Sequence, residues 1–354
     1  MRDVQLERVR VRRVFANGRH NAFTSLARWR GRLYLAFRTA DDHANPDAPE
    51  GVITVLVSDD GGASWSHLAT VTGMYGMDLR DPKLLATPDR LYLHTFEYQG
   101  RSRRDAMVSW TDDGERFVPV RRAVAEENHV VWWPVYHKGR YWASGYRYSG
   151  DKWGIRTVLF SSADGVNWRV VSRVSDVPWS NEAVLIMEED DSATVLVRND
   201  GDRLSPPASS GRPVFARALP PYREWTYTEL GRKLTGLAVL RVAGGYVIAA
   251  RDHEQDELRT ACFFCDERWL AQPAAATGPA SGAAREAPLR RLFTLPSGGD
   301  TSYAGFVRDG HRVLMSYYSS HEHAASGGRR PASIYLAEFD LDEVLAVDPG
   351  AAQS

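Results

Sequence analysis

The chain has 354 residues, 43% of them hydrophobic, which is long for one ordinary core but suits a barrel or repeat architecture closed on itself. The formal net charge of −1 provides no overall field that would attract nucleic acid or an anionic membrane, so any anion must bind locally. No apolar run approaches transmembrane length, and neither nucleic acid nor a membrane is expected as a partner.

The first segment, MRDVQLERVRVRR, is polar and charged and lacks the apolar stretch of a secretory signal. The sequence therefore predicts a soluble cytoplasmic protein, or a secreted one if a leader has been trimmed away. Residues 5–16 alternate between apolar and polar side chains, as a strand does. We expect this strand to lie beside Ile334–Phe339 and to close the last repeat of the fold.

Six stretches share one pattern: polar residues lead into an apolar strand, a turn, a second apolar strand and a final polar or charged residue. Their spacing of roughly fifty residues is typical of four-stranded propeller blades. They cover residues 20–38, 78–97, 130–147, 179–198, 234–251 and 300–318. We therefore predict an all-β fold, a six-bladed β-propeller of four-stranded antiparallel blades.

We expect residues 1–354 to form a single domain, with approximate blades at 17–75, 76–126, 127–176, 177–232, 233–297 and 298–345. The stretch 271–288 is rich in Ala, Pro and Gly and is predicted to be a surface loop. Cys262 and Cys265 have no partner pair for zinc, and residues three apart in a strand point to opposite faces. We expect two buried free thiols.

One turn motif marks the outer strands of the first blade. Residues Ser58–Trp65 fit the Asp-box form S-x-D-x-G-x-x-W. Asp and Ser side chains can bond the turn amides, Gly can take positive φ, and Trp can pack between strands. Degenerate copies are expected at Ser161–Trp168, with Ala163 in place of the Asp, and around Asp112–Phe117. The motif predicts structure rather than catalysis.

Candidate binding residues lie at the ends of the repeated hairpins. The inner strands of a propeller start at one face of its central channel, so ligands are expected at that mouth. The second strands carry four arginines in phase, and guanidinium groups bind carboxylates, sulfates or hydroxyls by paired hydrogen bonds. The candidates for substrate binding are Arg38, Arg80, Arg147, Arg198, Arg251, Trp133, His253 and Tyr317.

The first strands supply acidic and phenolic groups at the same mouth. Glu182 precedes the fourth apolar run, and Tyr303 lies at the corresponding part of the sixth repeat. A carboxylate is costly to bury unless it is paired, and a tyrosine hydroxyl is a natural partner for Glu182. The alternatives are that Glu182 only forms a structural salt bridge with Arg198 or Arg251, and that Tyr303 is an aromatic core residue.

SNEAVL around Glu182, LVRND around Arg198 and TSYAGF around Tyr303 resemble the sialidase superfamily of propellers, and the resemblance covers essentially the whole chain. It implies that Glu182 activates Tyr303 as a nucleophile, which a substrate carboxylate does not repel because the phenol is neutral. It also implies that Arg198 is the second arginine of the family's carboxylate-binding triad and that Arg251 stands near the third.

Two parts of the family's pattern differ. The first inner strand has Phe23 and Thr24 where the family has its first triad arginine. The loop after the first hairpin, where the family has its catalytic Asp, reads TADDHANPDAPEG. It offers Asp41, Asp42, His43, Asp47 and Glu50, of which Asp42 and His43 are the leading acid/base candidates. FRTADDH resembles uncharacterised bacterial sialidase-like proteins.

The leading hypothesis is an exo-acting glycoside hydrolase that cleaves a terminal anionic or strongly polar sugar. Tyr303 and Glu182 would form the nucleophile system, with Asp42 or His43 as acid/base. A carbohydrate is the expected partner. No cofactor is expected, and no metal either, because the histidines show no metal-binding spacing.

Asp81 in LRDPK supports a rival enzyme hypothesis. Arg80 can hold it ionised, and Asp81 with Glu182 across the channel would suit the roughly 6.5–9.5 Å separation of an inverting pair. A polysaccharide lyase or inverting glycosidase would then use His43 or Asp81 as base. A third hypothesis is a glycan-binding propeller without activity, which the missing first-strand arginine favours.

Overall fold

The computed structural model describes residues 4–43, 51–99, 103–148, 155–175, 179–200, 211–254, 257–270, 286–323 and 330–346. Two N-terminal strands come first, β1 (Val4–Gln5) and β2 (Val9–Phe15). Blade one follows with β3 (His20–Trp29), β4 (Arg32–Ala40), β5 (Val52–Ser58) and β6 (Ser66–Val71). Blade two has β7 (Asp78–Ala86), β8 (Leu91–Gln99), β9 (Arg103–Thr111) and β10 (Arg121–Arg122).

Blade three contains β11 (His129–His137), β12 (Arg140–Arg147), β13 (Arg156–Ser162) and β14 (Arg169–Arg173). Blade four has β15 (Ser180–Met187), β16 (Ala193–Asn199), β17 (Val214–Ala218) and β18 (Thr226–Leu230), and the short β22 (Glu286–Ala287) pairs in parallel with β18. Blade five has β19 (Leu234–Val242), β20 (Gly245–Asp252), β21 (Arg259–Asp266) and β23 (Arg290–Thr294). The fold is a six-bladed β-propeller, as the repeats predicted.

Blade six joins the two ends of the chain. It contains β24 (Thr301–Asp309), β25 (Arg312–Ser319) and β26 (Ser333–Asp340), followed by helix α1 (Leu341–Leu345). Its outer strands are β2 and β1, since β2 pairs antiparallel with β26 from Val9 opposite Phe339 to Phe15 opposite Ile334. Without β2, the edge of β26 would present unpaired backbone groups.

The hydrophobic core is divided among the spaces between blades. Five buried clusters among the described residues each lie between two adjacent blades, because each sheet carries apolar side chains on both faces. A sixth cluster fills the space between blades six and one and extends across the channel through Phe23, Trp132 and Tyr303. Cys262 and Cys265 are free and buried, as expected, while the loop expected at 271–288 falls almost entirely outside the described residues.

Every inner strand carries one extra residue near its start. The pairing with the second strand shifts between Ala22 and Ser25 in blade one, and the other blades shift at Arg80/Lys83, Val131/Trp133, Ser180/Ala183, Thr235/Ala238 and Ser302/Gly305. Such β-bulges re-aim side chains and are frequent next to functional sites. Four bulges include a residue in the left-handed region: Phe23 at φ 60°, Asp81 at 50°, Gly236 at 59° and Tyr303 at 51°.

The turn between β5 and β6 is held by its own side chains. Ser58 Oγ donates to Asp60 Oδ1 at 2.8 Å and accepts from the Gly62 amide at 2.8 Å. In blade three the same contacts are made by Ser162 and Asp164, so the register expected there, Ser161 with Ala163, is wrong by one residue. The reason is a shorter turn, in which the glycine follows the hydroxyl residue by three positions instead of four. Thr111 and Asp113 repeat the contact in blade two.

No helix within the described ranges is both long and apolar enough to cross a membrane.

Closure by β2 predicts a strong effect of one buried side chain. Val11 is 2% exposed and packs in the cluster between blades five and six. Val11→Asp should lower the free energy of unfolding by more than about 3 kcal/mol, because an unpaired charge would enter an apolar core. Urea unfolding measures this, with Arg10→Ala on the exposed face of the same strand as control, expected to change it by under about 1 kcal/mol. Equal effects would contradict the role of β2 in closure.

Candidate active site

Tyr303 and Glu182 meet at the channel mouth although they are 121 residues apart in sequence. The bulges of blades six and four bring them there, and the Tyr303 hydroxyl donates to Glu182 Oε1 at 2.9 Å. Burial raises the pKa of Tyr303 well above its usual value, and the neighbouring Glu182 carboxylate raises it further. The phenol is therefore neutral, and the adjacent carboxylate can take its proton.

Arg198 binds both members of this pair. Its Nη1 donates to Glu182 Oε2 at 2.7 Å and to the Tyr303 hydroxyl at 2.9 Å, and its Nε donates to Asp200 at 2.9 Å. The guanidinium can thus stabilise negative charge on either oxygen. The salt bridge considered for Glu182 exists, but it also includes the phenol.

Arg251 lies near the ring of Tyr303. Its guanidinium carbon lies 5.7 Å from the centre of the Tyr303 ring. Its Nη2 donates to Asp300 Oδ1 at 3.0 Å and to the Thr301 carbonyl at 2.6 Å. The Tyr318 hydroxyl also donates to Asp300 Oδ1, at 2.6 Å. Arg198 and Arg251 therefore converge on Tyr303 from neighbouring blades.

The second oxygen of Asp300 binds two histidines. His20 Nε2 lies 2.8 Å and His43 Nδ1 lies 2.6 Å from Asp300 Oδ2. Burial alone would raise the pKa of Asp300, but the hydrogen bonds from the two histidines and the charge of Arg251 outweigh it and hold the pKa well below the usual range. Asp300 is the ionised centre of this side of the mouth.

Arg38 and Arg80 share a carboxylate that the sequence analysis did not single out, Asp78. Arg38 donates to both Asp78 oxygens, at 2.8 and 3.0 Å, and Arg80 Nε donates to Asp78 Oδ2 at 2.9 Å. Arg38 is only 2% exposed. The two arginines therefore hold the loop after β4, because Arg38 donates to the Asp42 carbonyl and Arg80 to the His43 carbonyl.

Asp42 and His43 have different surroundings in that loop. The Asp42 carboxylate accepts from the His43 backbone amide at 2.6 Å, which is a local turn contact. The His43 side chain is 45% exposed and packs edge-on against Phe23, whose ring also contacts Tyr303. Of the two acid/base candidates in this loop, His43 is the one whose side chain has contacts that lead towards Tyr303.

Asp81 is a buried carboxyl at the bulge of blade two. Its Oδ1 has no hydrogen-bond partner among the described residues. Burial raises its pKa to about 6, and Glu182 adds to the shift while Lys83 opposes it. Near neutral pH this carboxyl therefore exchanges a proton, as acids and bases in active sites do.

Lys83 was missed by the sequence analysis. It is 5% exposed, its amine lies 4.7 Å from the Trp132 ring centre and 5.7 Å from that of Trp133, and burial lowers its pKa. The predicted substrate-binding residue Trp133 is thus a partner of this amine. A lysine in an otherwise apolar stretch two residues after Asp81 was the available signal.

Three predicted substrate-binding residues lie elsewhere or are already engaged. Tyr317 is fully buried and donates to the Pro296 carbonyl at 2.8 Å, so the prediction for it is wrong; its neighbour Tyr318 faces the mouth. Successive strand residues point to opposite faces, which accounts for the exchange. Arg147 is an exposed residue at the end of β12, opposite His129. His253 bonds Thr235 at 2.8 Å, and burial lowers its pKa to about 4.

Comparison with solved structures gives proteins of the same architecture. A protein of unknown function from Dyadobacter fermentans matches 95% of this chain and 100% of its own, with 19% identity and a TM-score of 0.69. Trypanosoma rangeli sialidase, bound to the inhibitor DANA, matches 91% of this chain with 11% identity and a TM-score of 0.65. The α-L-arabinanase of Penicillium chrysogenum, with arabinobiose, matches 94% of this chain and 98% of its own, with 15% identity and a TM-score of 0.63.

The likeness is one of fold. The chain spans about half of the sialidase chain, because the match covers 55% of it. No protein-family model matches the sequence, and no curated protein matches it. The sialidase and the arabinanase are glycoside hydrolases, and this chain shares their propeller.

The position of the Tyr303 ring depends on a glycine. A Cβ at Gly236 would lie 3.0 Å from two Tyr303 ring carbons, whereas a Cβ at Gly244 would meet nothing within 4 Å, and both glycines have positive φ. Each Ala variant loses roughly 1–2 kcal/mol to left-handed strain. Gly236→Ala should lose at least about 1 kcal/mol more in urea unfolding, because overpacking adds its own cost. Equal losses would show that the ring shifts freely.

Proposed function

We propose that this protein is a glycoside hydrolase in which Tyr303 attacks the anomeric carbon of a terminal sugar. The observation that carries the proposal is the contact between the Tyr303 hydroxyl and Glu182 at 2.9 Å, with Arg198 bonded to both. A nucleophile beside a base that a third group orients is the usual arrangement of covalent catalysis. A structural salt bridge alone would not require a tyrosine held at positive φ.

The first step forms a covalent glycosyl-enzyme intermediate. The phenol proton of Tyr303 passes to Glu182 while a bond forms between Tyr303 Oη and the anomeric carbon. The bond from that carbon to the leaving oxygen breaks, and an acid protonates the leaving oxygen. Arg198 stabilises the negative charge that develops on Oη. In the second step the acid that lost its proton takes one from water, and this water attacks the anomeric carbon. The bond between that carbon and Tyr303 Oη breaks, and Tyr303 recovers its proton from Glu182.

The substrate class follows from the charges around Tyr303. Arg198 binds its hydroxyl, the Arg251 guanidinium lies 5.7 Å from its ring centre, and the Lys83 amine lies beside Trp132, whose ring contacts Tyr303. Partly buried guanidinium groups favour a carboxylate or several hydroxyls over an apolar ligand. We infer a terminal sugar that is anionic or strongly polar, a uronic acid or sialic acid being the simplest examples.

Asp81 supports a second mechanism, that of an inverting hydrolase or a lyase. Its unpartnered oxygen and its raised pKa of about 6 are what a base at this position would need. Product analysis separates the possibilities: a lyase forms an unsaturated uronate that absorbs ultraviolet light, and an inverting enzyme releases the opposite anomer. A glycan-binding protein without activity would bind sugars of this class and cut none of them.

Tyr303→Phe tests the leading mechanism. It should lower kcat/KM by more than about 10³-fold on 4-methylumbelliferyl glycosides of N-acetylneuraminic acid, glucuronic acid or L-arabinose, whichever the protein cleaves. Tyr317→Phe is the matched control and should retain activity, since its hydroxyl bonds a backbone carbonyl outside the site. A fluorinated glycosyl fluoride should label the peptide that carries Tyr303. Full activity of Tyr303→Phe would remove this residue from the mechanism.

Asp81 predicts a dependence of substrate binding on pH. Its pKa is raised, so the neutral carboxyl persists up to about pH 6, and above this pH a negative charge appears beside Glu182. KM for an anionic glycoside should therefore rise as the pH passes 6 in the wild type. In Asp81→Asn, which cannot ionise, KM should stay constant. Complete loss of turnover in Asp81→Asn would instead support the second mechanism.

A further inference from the structure

Asp300 organises four side chains at the channel mouth. Its Oδ1 accepts hydrogen bonds from Arg251 at 3.0 Å and Tyr318 at 2.6 Å. Its Oδ2 contacts His20 Nε2 at 2.8 Å and His43 Nδ1 at 2.6 Å. A carboxylate that accepts from four groups stays ionised, which agrees with its strongly lowered pKa. Both imidazole nitrogens that face Oδ2 therefore carry a hydrogen.

The tautomer of His20 follows from its burial. Its side chain is 0% exposed, and its Nδ1 has no hydrogen-bond partner among the described residues. A buried N–H without an acceptor would cost more than a bare nitrogen lone pair, and burial lowers the pKa of this imidazole. His20 is therefore neutral, with Nε2–H donating to Asp300.

His43 has the complementary arrangement. Its Nδ1–H donates to Asp300, and its Nε2 has no hydrogen-bond partner within the described part of the chain, on a side chain that is 45% exposed. Its backbone is fixed at both ends, by the Asp42 carboxylate at the amide and by Arg80 at the carbonyl. Its ring lies 5.3 Å from the Phe23 ring, which in turn lies 5.0 Å from the Tyr303 ring. One partly exposed nitrogen thus stands one aromatic ring away from the nucleophile.

A metal ion is the competing interpretation of this cluster, since the three ligand atoms lie within 4.8 Å of one another. The two nitrogen–oxygen distances of 2.6 and 2.8 Å are those of hydrogen bonds. Ligand atoms around zinc, at roughly 2.0–2.2 Å from the ion, would stand more than about 3 Å apart. The Arg251 guanidinium on the same carboxylate would also repel a divalent cation.

We propose that His43 is the acid/base of this site and that Asp300 and His20 are its positioning residues. The proposal rests on the Tyr303 mechanism given above. Protonated His43 gives the Nε2 proton to the leaving oxygen as the tyrosyl bond forms. Neutral His43 then takes a proton from the attacking water, which restores the imidazolium. Asp300 holds the ring and stabilises its positive charge, the role that an aspartate has towards histidine in hydrolase triads.

Asp81 is the alternative acid, and exposure argues against it. The leaving group of an exo-acting enzyme extends from the site towards solvent. Asp81 is 8% exposed and lies beside Lys83 and Glu182 within the channel, whereas His43 lies at its rim. The titratable and charged groups around His43 are Asp300, His20, Asp81 and Arg80. Arg80 donates to the His43 carbonyl.

Leaving-group chemistry tests the assignment. With the sugar that the wild type cleaves, His43→Ala should lose about 10²–10⁴-fold in kcat/KM on the methyl glycoside, which needs a proton. It should lose under about 10-fold on the 2,4-dinitrophenyl glycoside, which does not. Tyr303→Phe should lose activity on both substrates, which distinguishes loss of the nucleophile from loss of the acid. The proposal would be overturned if His43→Ala were as active as the wild type or lost the same factor on both substrates. It would also be overturned if Asp81→Asn, instead of His43→Ala, lost activity on the methyl glycoside alone.

A second measurement examines the imidazole rings directly. ¹⁵N NMR of the imidazole rings should show the Nδ1–H tautomer for neutral His43 and the Nε2–H tautomer for His20. In Asp300→Asn the tautomer preference of His43 should be lost and the pH profile of kcat should shift, effects that a merely structural role would not produce. Stoichiometric shifts of both rings on addition of Zn²⁺ would favour a metal site, and the opposite tautomers would also defeat the proposal.

Discussion

The extra residue near the start of each inner strand is the constraint on which this site depends. A regular strand would send alternate side chains towards the two neighbouring blades, and few of them would reach the axis. A bulge interrupts the alternation and turns one side chain out of the sheet. Phe23, Trp132, Glu182 and Tyr303 come from the bulged segments of four blades, and the first three each contact Tyr303. The backbone of Tyr303 is strained because its φ is positive, and the surrounding paired strands of the propeller hold it in this conformation.

Charge pairing is the second condition. Three buried or partly buried carboxylates of the mouth, Asp78, Glu182 and Asp300, are each bonded to at least one arginine. Removal of one partner from such a pair is costly because the other charge remains in a low dielectric. In the proposed mechanism the protons move on Tyr303, Glu182 and His43, whereas the charges of Asp78 and Asp300 stay fixed. The fixed charges thus separate the residues that hold the site from those that can react.

Much of this arrangement was open to prediction from the sequence. The six repeats predicted the blades, and the family-like motifs pointed to Glu182, Arg198 and Tyr303, which do lie together. Tyr317 failed because a strand ending in two tyrosines does not reveal which one faces the channel, and a slip of one residue reverses the face. Arg38 was predicted to bind a substrate anion, but its guanidinium already binds the carboxylate of Asp78, forty residues away in sequence.

The sequence by itself determined the number of sheets and the order of their strands, because apolar alternation and turn residues are local and recur in every blade. Only the tertiary structure decided which polar groups meet. Asp300 and His43 are 257 residues apart, and no periodicity relates their positions. They meet because the ring closes through β2 and brings the last blade beside the first. The contacts of Asp300 with His20 and His43 arise from this closure, which places side chains from distant segments side by side.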